Sequence, residues 1–590
     1  MATPRIIVVG GGLAGLSAVI KIAEAGGTVD LFSIVPVKRS HSVCAQGGIN
    51  AAKNLKGEGD TTYKHFDDTI YGGDFLANQT PVKAMCEAAP AIIDLLDRMG
   101  VPFNRTPEGL LDFRRFGGTL YNRTAFAGAT TGQQLLYALD EQVRRYESEG
   151  KVTKYEGWEF LSAVLDSKGV ARGITALDLR TMELRSFAAD AIILATGGIG
   201  AIFGKSTNSV VCTGSAQSAV FQQGVTYANG EFIQVHPTCI PGEDKLRLMS
   251  ESARGEGGRV WVPRTAGDKR LGRQIPEAER FYFLEEWYPK YGNLVPRDIA
   301  TRAIHKVVYE NHLGIDGQPM VYLDLTHIDR ATLDRKLGGI LDIYEKFVGD
   351  DPHDVPMKIF PGVHYTMGDL WVDFNQMPNI PGLFAIGECE YQYHGANRLG
   401  ANSLLSCIYA GFISGPNALS YSKNAAAQDG DGGHAAEVTR QAAINAKLLK
   451  NEGAENPFKL WRELGDTMTK HATVIRYNKG LKQADEKIVE LLDRYKNVSL
   501  ADRSQWANTS FAFARQLKNM LELARVIAQG ATLRDESRGA HYKPDFPERN
   551  DERFLKTTKA SFTDSGPRFE YEEVDTQFIK PRPRRYDAAN

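Results

Sequence analysis

The chain has 590 residues, of which 24% are charged, and its formal net charge at pH 7 is −2. A chain of this length can fold into several domains around a large hydrophobic core, and its near-neutral charge gives no sign of the excess of basic residues typical of proteins that bind nucleic acid. No apolar run reaches the roughly 18 residues of a membrane-spanning helix. Because the first predicted strand lies so close to the N-terminus, we expect no signal peptide.

The cysteines are scattered and form no C-x-x-C pair: Cys44, Cys86, Cys212, Cys239, Cys389 and Cys407. This spacing predicts neither a zinc site nor an iron–sulfur cluster, so we expect no metal ligands in this chain. Cysteines without a disulfide framework are typical of a reducing compartment.

The N-terminal segment predicts a dinucleotide site. The apolar strand Arg5–Val9 leads into Gly10-x-Gly12-x-x-Gly15 and a helical pattern from Leu16 to Ala25. In such a turn the first glycine permits the bend, the second lets the backbone approach a pyrophosphate and the third lets the helix pack on the strand. We therefore expect cofactor contacts at the helix N-terminus, from Gly10, Gly11, Gly12, Leu13, Ala14 and Gly15. The alternative is an ordinary strand–turn–helix.

The second predicted strand, Val29–Ser33, ends in a residue that differs from the one found at this position in most dinucleotide folds. These folds usually place an acid at this position for the ribose hydroxyls, whereas this chain has Ser33, and Asp30 comes too early. Serine can still form a hydrogen bond, so Ser33 remains a candidate cofactor residue. The serine at the position of the usual acid makes a simple NAD-binding site less well supported.

Two further strand-and-turn segments complete the predicted α/β fold. The apolar segment Ala189–Leu194 continues into Ala195-Thr196-Gly197, and a similar segment, Gly382–Glu388, follows later. Together with the first glycine turn they have the layout of two-dinucleotide FAD folds. Helical patterns occupy 81–100 and 132–146. Between these helical patterns lies a basic segment interrupted by glycines. Its arginines are either exposed to solvent or packed near the cofactor; they are Arg114, Arg115 and Arg123.

Polar motifs are distributed over the first 403 residues. They are Arg39–Gly48 with His41, Glu231–Thr238 with His236, Ser250–Arg254, Leu294–Asp298 with Arg297, Phe360–Gly368 with His364, and Tyr393–Ser403 with Arg398. Taken singly, each has an ordinary structural explanation, because a lone histidine is usually a satisfied polar group and a lone arginine is usually on the surface.

Together and in this order, these motifs resemble those of the succinate dehydrogenase/fumarate reductase flavoprotein family. The resemblance covers almost the whole chain and is closest to Bacillus-type complexes. It implies FAD bound covalently through His41 to the 8α-methyl group. Many relatives carry aspartate where Ser215 stands. The further cofactor contacts that the resemblance implies are Ser40, Ser42, Gln46, Gly47, Gly48, Ala195, Thr196, Gly197, Ser215, Glu388, Asn402, Ser403 and Leu404.

The resemblance also implies the reaction, which is oxidation of succinate to fumarate with hydride transfer to flavin N5. A dicarboxylate needs hydrogen-bond donors at both ends, here His236, Ser250, His364 and Arg398. Arg297 matches the residue that moves the substrate proton, and Glu251 and Arg254 match those that connect it to solvent. Since a solvated arginine is no base, we expect a relay in which Arg297 gives up one proton as it takes another.

The family organisation implies a FAD-binding domain at 1–236 and 353–420, interrupted by an α+β capping domain at 237–352. A helical domain (421–545) and a small C-terminal domain (546–590) follow. The implied partners are an iron–sulfur subunit and a haem-containing membrane anchor, with quinone reached only through them. We therefore expect a peripheral protein at the cytoplasmic face of the cell membrane.

Three alternatives remain open from the sequence. The first is a quinol:fumarate reductase that runs the reverse reaction with the same residues. The second is a soluble flavoenzyme similar to L-aspartate oxidase, against which His41 argues because that enzyme lacks the flavin-linking histidine. The third is a flavin-dependent binding or assembly module without turnover. The basic, proline-rich tail, Lys580–Arg585, is predicted to be extended or to bind a partner.

Overall fold

The computed structural model describes residues 4–242, 246–425 and 431–586. Its central layer is a parallel sheet with the strand order Leu383–Ala385, Ala191–Leu194, Arg5–Val9, Thr28–Ser33 and Val152–Glu156. The three strand segments predicted from the glycine turns are therefore neighbours in one sheet. Within the described ranges, we find no helix with the length and apolar character needed to cross a bilayer.

The first helix extends over Leu13–Glu24, so it begins three residues before the predicted Leu16 and directly after Gly12. It packs closely on the long helix Asn402–Asn424, because Gly411 and Gly415 have no side chains to separate the two backbones. A Cβ atom at Gly411 would lie 2.6 Å from the carbonyl oxygen of Ala14. This contact holds the glycine turn against a second segment that lines the site.

The other helices of the FAD-binding part cover the sheet, and the two predicted ones, 81–100 and 132–146, differ from the observed helices by at most two residues at either end. Their bounds are Thr62–Gly72, Gln79–Arg98, Thr131–Ser148 and Ser215–Gln222. Two smaller antiparallel sheets flank them. One has the strands Trp158–Leu165, Ala171–Asp178 and Leu184–Ala188, and the other has Ile49–Asn50, Thr124–Ala125 and Phe113–Arg114.

An antiparallel sheet joins the FAD-binding part to the predicted capping domain. Its strand order is Arg247–Leu248, Ile233–Ile240, Met357–Thr366, Val321–Asp324, Arg259–Pro263 and Arg280–Phe281. Ile233–Ile240 passes through the predicted boundary at 236/237, so the two units share backbone hydrogen bonds there, and the domain limits stay a prediction. The helices of this region are Ser252–Gly255, Phe283–Trp287, Arg297–His305 and Arg330–Val348.

The C-terminal part is mainly helical, as predicted. Its helices are His434–Lys450, Pro457–His471, Asn478–Tyr495, Thr509–Leu533 and the short Asp551–Phe554. Apolar residues at helical spacing, among them Ile488, Leu491 and Leu517, predict stripes that face the core, and these three residues are buried there. The hairpin Lys556–Ser561 and Arg568–Glu573 adds to Tyr227–Ala228 and Asp369–Leu370 in one sheet. The Gly/Asp/Ala-rich composition of 424–436 predicts a link, and of its residues, 426–430 lie outside the described residues.

Candidate active site

A cavity of about 510 Å³ lies at the carboxyl ends of the central parallel strands. This edge of an open α/β sheet is where such folds bind their ligands. The lining brings together most of the predicted cofactor and substrate residues, although they are distributed over almost 400 positions. They are Gly10–Ala14, Ser33, Ser40–Ser42, Gln46–Gly48, Ala195–Gly197, Ser215, His236, Ser250, Glu251, Arg297, His364, Glu388, Arg398, Ser403 and Leu404.

The glycine turn has the geometry that a bound pyrophosphate requires. Gly10 has a φ of +117°, and a Cβ atom there would lie 2.0 Å from the carbonyl oxygen of Ala195. Gly15 does not line the cavity, and a Cβ atom there would lie 1.9 Å from the carbonyl oxygen of Gly10. Glycine is therefore needed at both positions, and the backbone of Gly11 and Gly12 stays open to a ligand at the helix N-terminus.

Other polar groups among the predicted cofactor residues also fit a large polar ligand. The buried Ser40 hydroxyl, the Gln46 Oε1 atom and the Thr196 hydroxyl have no hydrogen-bond partner in the protein. The Ser33 hydroxyl donates to the carbonyl oxygen of Val35 at 2.6 Å, and the Ser42 hydroxyl accepts from the backbone N–H of Leu13 at 3.2 Å. Buried polar groups normally have partners, so the three orphaned groups indicate a ligand such as FAD.

His41 lies in the short 3₁₀ turn His41–Cys44, beside the segment 207–209. Its Nδ1 atom accepts the backbone N–H of Ser209 at 3.2 Å, and its Nε2 atom lies 3.2 Å from Asn208 Nδ2. The same segment contacts the substrate side of the cavity, because Thr207 Oγ1 lies 2.7 Å from His364 Nδ1. The segment 207–209 therefore contacts both the predicted flavin-linking histidine, His41, and a predicted substrate histidine, His364.

His236 and His364 present neutral imidazoles to the cavity. Burial, together with the charge of Arg297, holds the pKa of both rings well below the usual value. His236 Nδ1 accepts the backbone N–H of Thr238 at 3.2 Å, which places the ring proton on Nε2. That Nε2 atom is buried without a partner, so it is a free donor for a ligand oxygen. The two rings are 5.0 Å apart between centroids.

Arg398 is a buried cation that pairs with no carboxylate among the described residues. Its guanidinium lies over the ring of Tyr365 at 4.5 Å, donates weakly to the carbonyl oxygen of Leu399 at 3.4 Å and has an unpartnered Nε. Burial and the nearby charge of Arg297 lower its pKa to about 9, so it remains charged at neutral pH. An unpaired buried charge is costly, and a bound carboxylate would relieve that cost.

The predicted proton relay forms a continuous hydrogen-bonded chain. Arg297 donates to Glu251 Oε2 from Nε at 2.8 Å, and its NH2 atom lies 2.7 Å from the same oxygen. Arg254 donates to Glu251 Oε1 at 2.8 Å. Burial by itself would raise the pKa of Glu251, but the charges of Arg297 and Arg254 lower it below its usual value. Arg254 is outside the cavity lining, where its NH1 donates to the carbonyl oxygen of Asn293 at 2.7 Å.

Two glycines make room for the relay, and the sequence did not single them out for this role. A Cβ atom at Gly117 would lie 1.9 Å from Glu251 Oε1, and one at Gly400 would lie 3.1 Å from Oε2. Ser250 lines the cavity next to Glu251, and its hydroxyl accepts the backbone N–H of Ser252 at 3.2 Å. Its hydroxyl thus faces the start of the helix Ser252–Gly255 as well as the cavity.

Asn402, Ser215 and Glu388 have different relations to the cavity. Asn402 does not line it, because its side chain is committed within the protein, to Asn50 and Thr69 by hydrogen bonds and to His65 at 2.9 Å. Ser215 lines the cavity, and its hydroxyl accepts a hydrogen bond from Asn519 at 2.8 Å. Glu388 accepts the backbone N–H of Thr366 at 3.0 Å, and burial raises its pKa to about 7.

The sequence analysis singled out neither of two further residues at the site, Gln234 beside the cavity lining and Glu159 within it. Gln234 accepts from Arg297 at 2.9 Å and donates to the carbonyl oxygen of Arg398 at 2.8 Å, so it connects two predicted site residues. Glu159 lines the cavity with an unpartnered oxygen, and burial raises its pKa to about 7. A charged residue inside the otherwise mostly apolar strand Trp158–Leu165 was the available signal.

The basic tract contains three different environments. Arg114 is buried and donates to the carbonyl oxygens of Gln46 and Gly47, so it packs beside two predicted cofactor residues. Arg123 is also buried, where it pairs with Asp60 at 2.7 and 3.0 Å. The Arg115 side chain is 44% exposed, which makes it the only member of the three on a solvated face.

Comparisons with known proteins agree with this site. The chain matches the FAD binding domain family over residues 5–404 and the fumarate reductase flavoprotein C-terminal family over 461–586. It is 63% identical to the succinate dehydrogenase flavoprotein subunit of Bacillus subtilis, over 99% of each chain. It is 35% identical to the fumarate reductase flavoprotein subunit of Haemophilus influenzae, over 99% of this chain and 96% of the relative.

A solved structure of a mutant E. coli quinol fumarate reductase has the same fold, with a TM-score of 0.92, 31% identity and complete coverage of both chains. The fold and the matched domain define an FAD-dependent oxidoreductase of the two-dinucleotide type. The chain belongs to the succinate dehydrogenase/fumarate reductase flavoprotein family. The predicted fold class and the predicted FAD cofactor are thereby confirmed.

Proposed function

We propose that this chain oxidises succinate to fumarate, with its FAD attached covalently to His41. The observation that carries the proposal is the unpaired, buried guanidinium of Arg398 in the same cavity as the free Nε2 donor of His236. With His364 and Ser250 these groups supply donors for two carboxylates, as a small dicarboxylate needs. The 63% identity to a succinate dehydrogenase subunit supports succinate as the substrate.

Each residue has a distinct task in this proposal. His236, Ser250, His364 and Arg398 hold the carboxylates, and bound FAD supplies the hydride acceptor. The other hydrogen leaves the substrate as a proton to Arg297, which passes a proton to Glu251 through the 2.8 Å contact. Glu251 is connected on its other oxygen to Arg254, which completes the path away from the cavity. Arginine thus never accumulates in its neutral form, which its high pKa disfavours.

We further propose that the chain works as the flavoprotein subunit of a membrane-bound complex. In that assembly an iron–sulfur subunit accepts the electrons and a haem-containing anchor holds the complex at the cytoplasmic face of the membrane, where quinone is reduced. The resemblance of the fold to quinol fumarate reductase supports this arrangement. Fumarate reduction is the reverse of the same reaction, and the higher identity to a succinate dehydrogenase favours oxidation.

The purified, flavin-loaded chain should pass electrons from succinate to a soluble artificial dye but should not reduce quinone. The reason is that the proposed electron path to quinone runs through the iron–sulfur subunit. The measurement is dye and quinone reduction by the single chain and by the assembled complex, with malonate as competitor. Quinone reduction by the chain alone would contradict the partner assignment, and absence of succinate-driven dye reduction would contradict the proposed reaction.

His41→Ser should abolish covalent flavin while leaving FAD bound in the glycine cradle, because Gly10–Ala14 remain unchanged. We expect the loss of the histidyl bond to change the flavin potential and to slow succinate oxidation more than fumarate reduction. In-gel flavin fluorescence after acid precipitation tests the bond, and His312→Ser, an exposed histidine, is the control. A dark wild-type band from the assembled enzyme would disprove the covalent attachment.

A further inference from the structure

The last described residues, 575–586, cross the molecular surface without forming a helix or strand. We call this segment the C-terminal strap. Its first half is fastened to Gln79, at the start of the helix Gln79–Arg98. Gln79 Oε1 accepts the backbone N–H groups of Phe578 and Ile579 at 2.8 Å, and its Nε2 donates to the carbonyl oxygen of Ile579 at 2.8 Å. The strap is therefore held in a defined register along the FAD-binding part.

Two arginines of the strap contact two different parts of the molecule. Arg582 pairs with Asp67, on the helix Thr62–Gly72, at 2.9 and 2.7 Å. Arg584 pairs with Asp298, in the first turn of the helix Arg297–His305, at 2.5 and 3.0 Å. The first acid belongs to the FAD-binding part and the second to the predicted capping domain. The strap thus connects the two parts that enclose the cavity.

Aromatic contacts reinforce this connection at the end of the strap. The buried ring of Tyr586 packs against Tyr71 and Tyr291, with ring centroids 5.7 and 5.1 Å apart. The hydroxyl of Tyr71 accepts the backbone N–H of Arg585 at 2.6 Å and donates to its carbonyl oxygen at 2.9 Å. Tyr71 lies in the FAD-binding part and Tyr291 in the predicted capping domain, so this packing spans the same junction.

The two ion pairs differ in burial. Arg582 is 43% exposed, and such surface pairs contribute little. Arg584 and Asp298 are only 5% and 1% exposed. Without Arg584, the buried Asp298 carboxylate would keep the longer contact to Arg302 on its own helix, at 3.4 Å, so its charge would be less well compensated. Burial by itself would raise the pKa of Asp298, but the Arg584 charge lowers it below its usual value. Arg584 is therefore the contact of the strap that most strongly constrains the helix Arg297–His305.

We propose that Arg584 is a positioning residue for the active site, acting through Asp298 on the helix that begins with Arg297. The Arg297 guanidinium contacts Gln234 and Glu251, and it shares the cavity with His364 and Arg398. The last two belong to the FAD-binding part. The strap keeps the proton-transfer chain and these two residues in one arrangement. The kinetic part of this inference rests on the proposed function.

Hydrogen exchange of the FAD-loaded chain tests the strap without any substrate. Arg584→Gln should increase backbone exchange in 297–305 and in 576–586, whereas Arg585→Gln should not. Arg585 is the matched control, because its side chain is exposed and only its backbone contacts Tyr71. Unchanged exchange in 297–305 would overturn the proposal. Since no turnover is involved, this result stands even if succinate proves not to be the substrate.

Single-turnover flavin reduction by succinate tests the positioning role. We expect Arg584→Gln to slow it about tenfold, since small misplacements of a reacting group have large effects on rate. The dissociation constant for malonate should change much less, because His364 and Arg398 are untouched. Arg584→Lys should recover most of the rate, because an ammonium can still pair with Asp298.

A double-mutant cycle separates positioning from a general loss of stability. Asp298→Asn should reproduce the slow flavin reduction, although it also removes the 3.4 Å ion pair with Arg302. The double variant should be no slower than Asp298→Asn, because the Arg584–Asp298 pair is already lost in that single variant. Additive effects would overturn the proposal. It would also be overturned if Arg584→Gln lowered the melting temperature and left the flavin-reduction rate unchanged. Failure of the wild-type chain to be reduced by succinate would instead contradict the proposed function.

Discussion

Glu251→Gln should lower the rate of flavin reduction by succinate on the order of 100- to 10,000-fold, the range that general acid–base catalysis contributes. Glu251 lies between the two arginines of the proposed relay, with Arg297 on Oε2 and Arg254 on Oε1. The amide of glutamine fills the same space but cannot accept a proton, and its NH₂ group would face an arginine donor. The relay is therefore interrupted while the shape of the site is retained.

Malonate affinity should be nearly unchanged in Glu251→Gln. Glu251 is assigned to proton transfer, whereas binding of the ligand's carboxylates is assigned to other side chains. The measurements are single-turnover flavin reduction and the malonate dissociation constant, taken in parallel. Glu256→Gln is the control, because Glu256 ends the same short helix and pairs with Lys336 at 2.6 Å outside the cavity lining. If Glu251→Gln lost affinity and kept its flavin-reduction rate, Glu251 would belong to binding and the relay would be wrong.

Arg398→Lys should lower kcat/KM for succinate about 10- to 100-fold. A buried charge-assisted hydrogen bond contributes about 1.5–3 kcal/mol, and each 1.36 kcal/mol is roughly a factor of ten in rate. Lysine keeps the charge but cannot reproduce the planar fork of the guanidinium, nor its contact over the ring of Tyr365 at 4.5 Å. Arg398→Lys therefore keeps the positive charge but loses the hydrogen-bonding geometry of the guanidinium.

The control for Arg398→Lys is Arg172→Lys. Arg172 has a comparably buried side chain and pairs with Asp166 at 2.8 Å, outside the cavity lining. It reports what an arginine-to-lysine change does to folding and FAD content by itself. Unchanged dicarboxylate affinity and turnover in Arg398→Lys would refute the assignment of Arg398 to a substrate carboxylate.

Local patterns were sufficient for the elements that carry the cofactor site. The strand Arg5–Val9 was predicted with the observed bounds, because four adjacent apolar residues before a glycine turn fit a buried parallel strand. The stripe containing Leu517 and Met520 lies in the core, since helical periodicity places such residues on one face. The first helix was predicted to begin too late, because Gly15 is a poor helix former that is nevertheless accommodated by its packing on Gly10.

Partners of individual polar side chains could not be read from the same patterns. Asn402 is predicted to contact the cofactor, and the sequence carries no sign that its amide contacts His65, Asn50 and Thr69. Arg114 and Arg115 are adjacent in the sequence, yet one is buried beside Gly47 and the other is exposed. Hydrogen-bond partners depend on which distant segments meet, and that is decided by packing of whole elements.

The α/β class and the glycine cradle follow from the amino-acid sequence alone, and the resemblance of its motifs adds the flavoprotein family and the set of candidate residues. These are consequences of backbone preference and apolar periodicity, which act over a few neighbouring residues, and of motif order. Three relations become visible only in the folded chain: Arg398 pairs with no carboxylate among the described residues, Gly117 leaves room for Glu251, and Arg584 reaches Asp298 across 286 positions. Those relations depend on burial and close approach between distant segments, for which the linear order of residues carries no local signal.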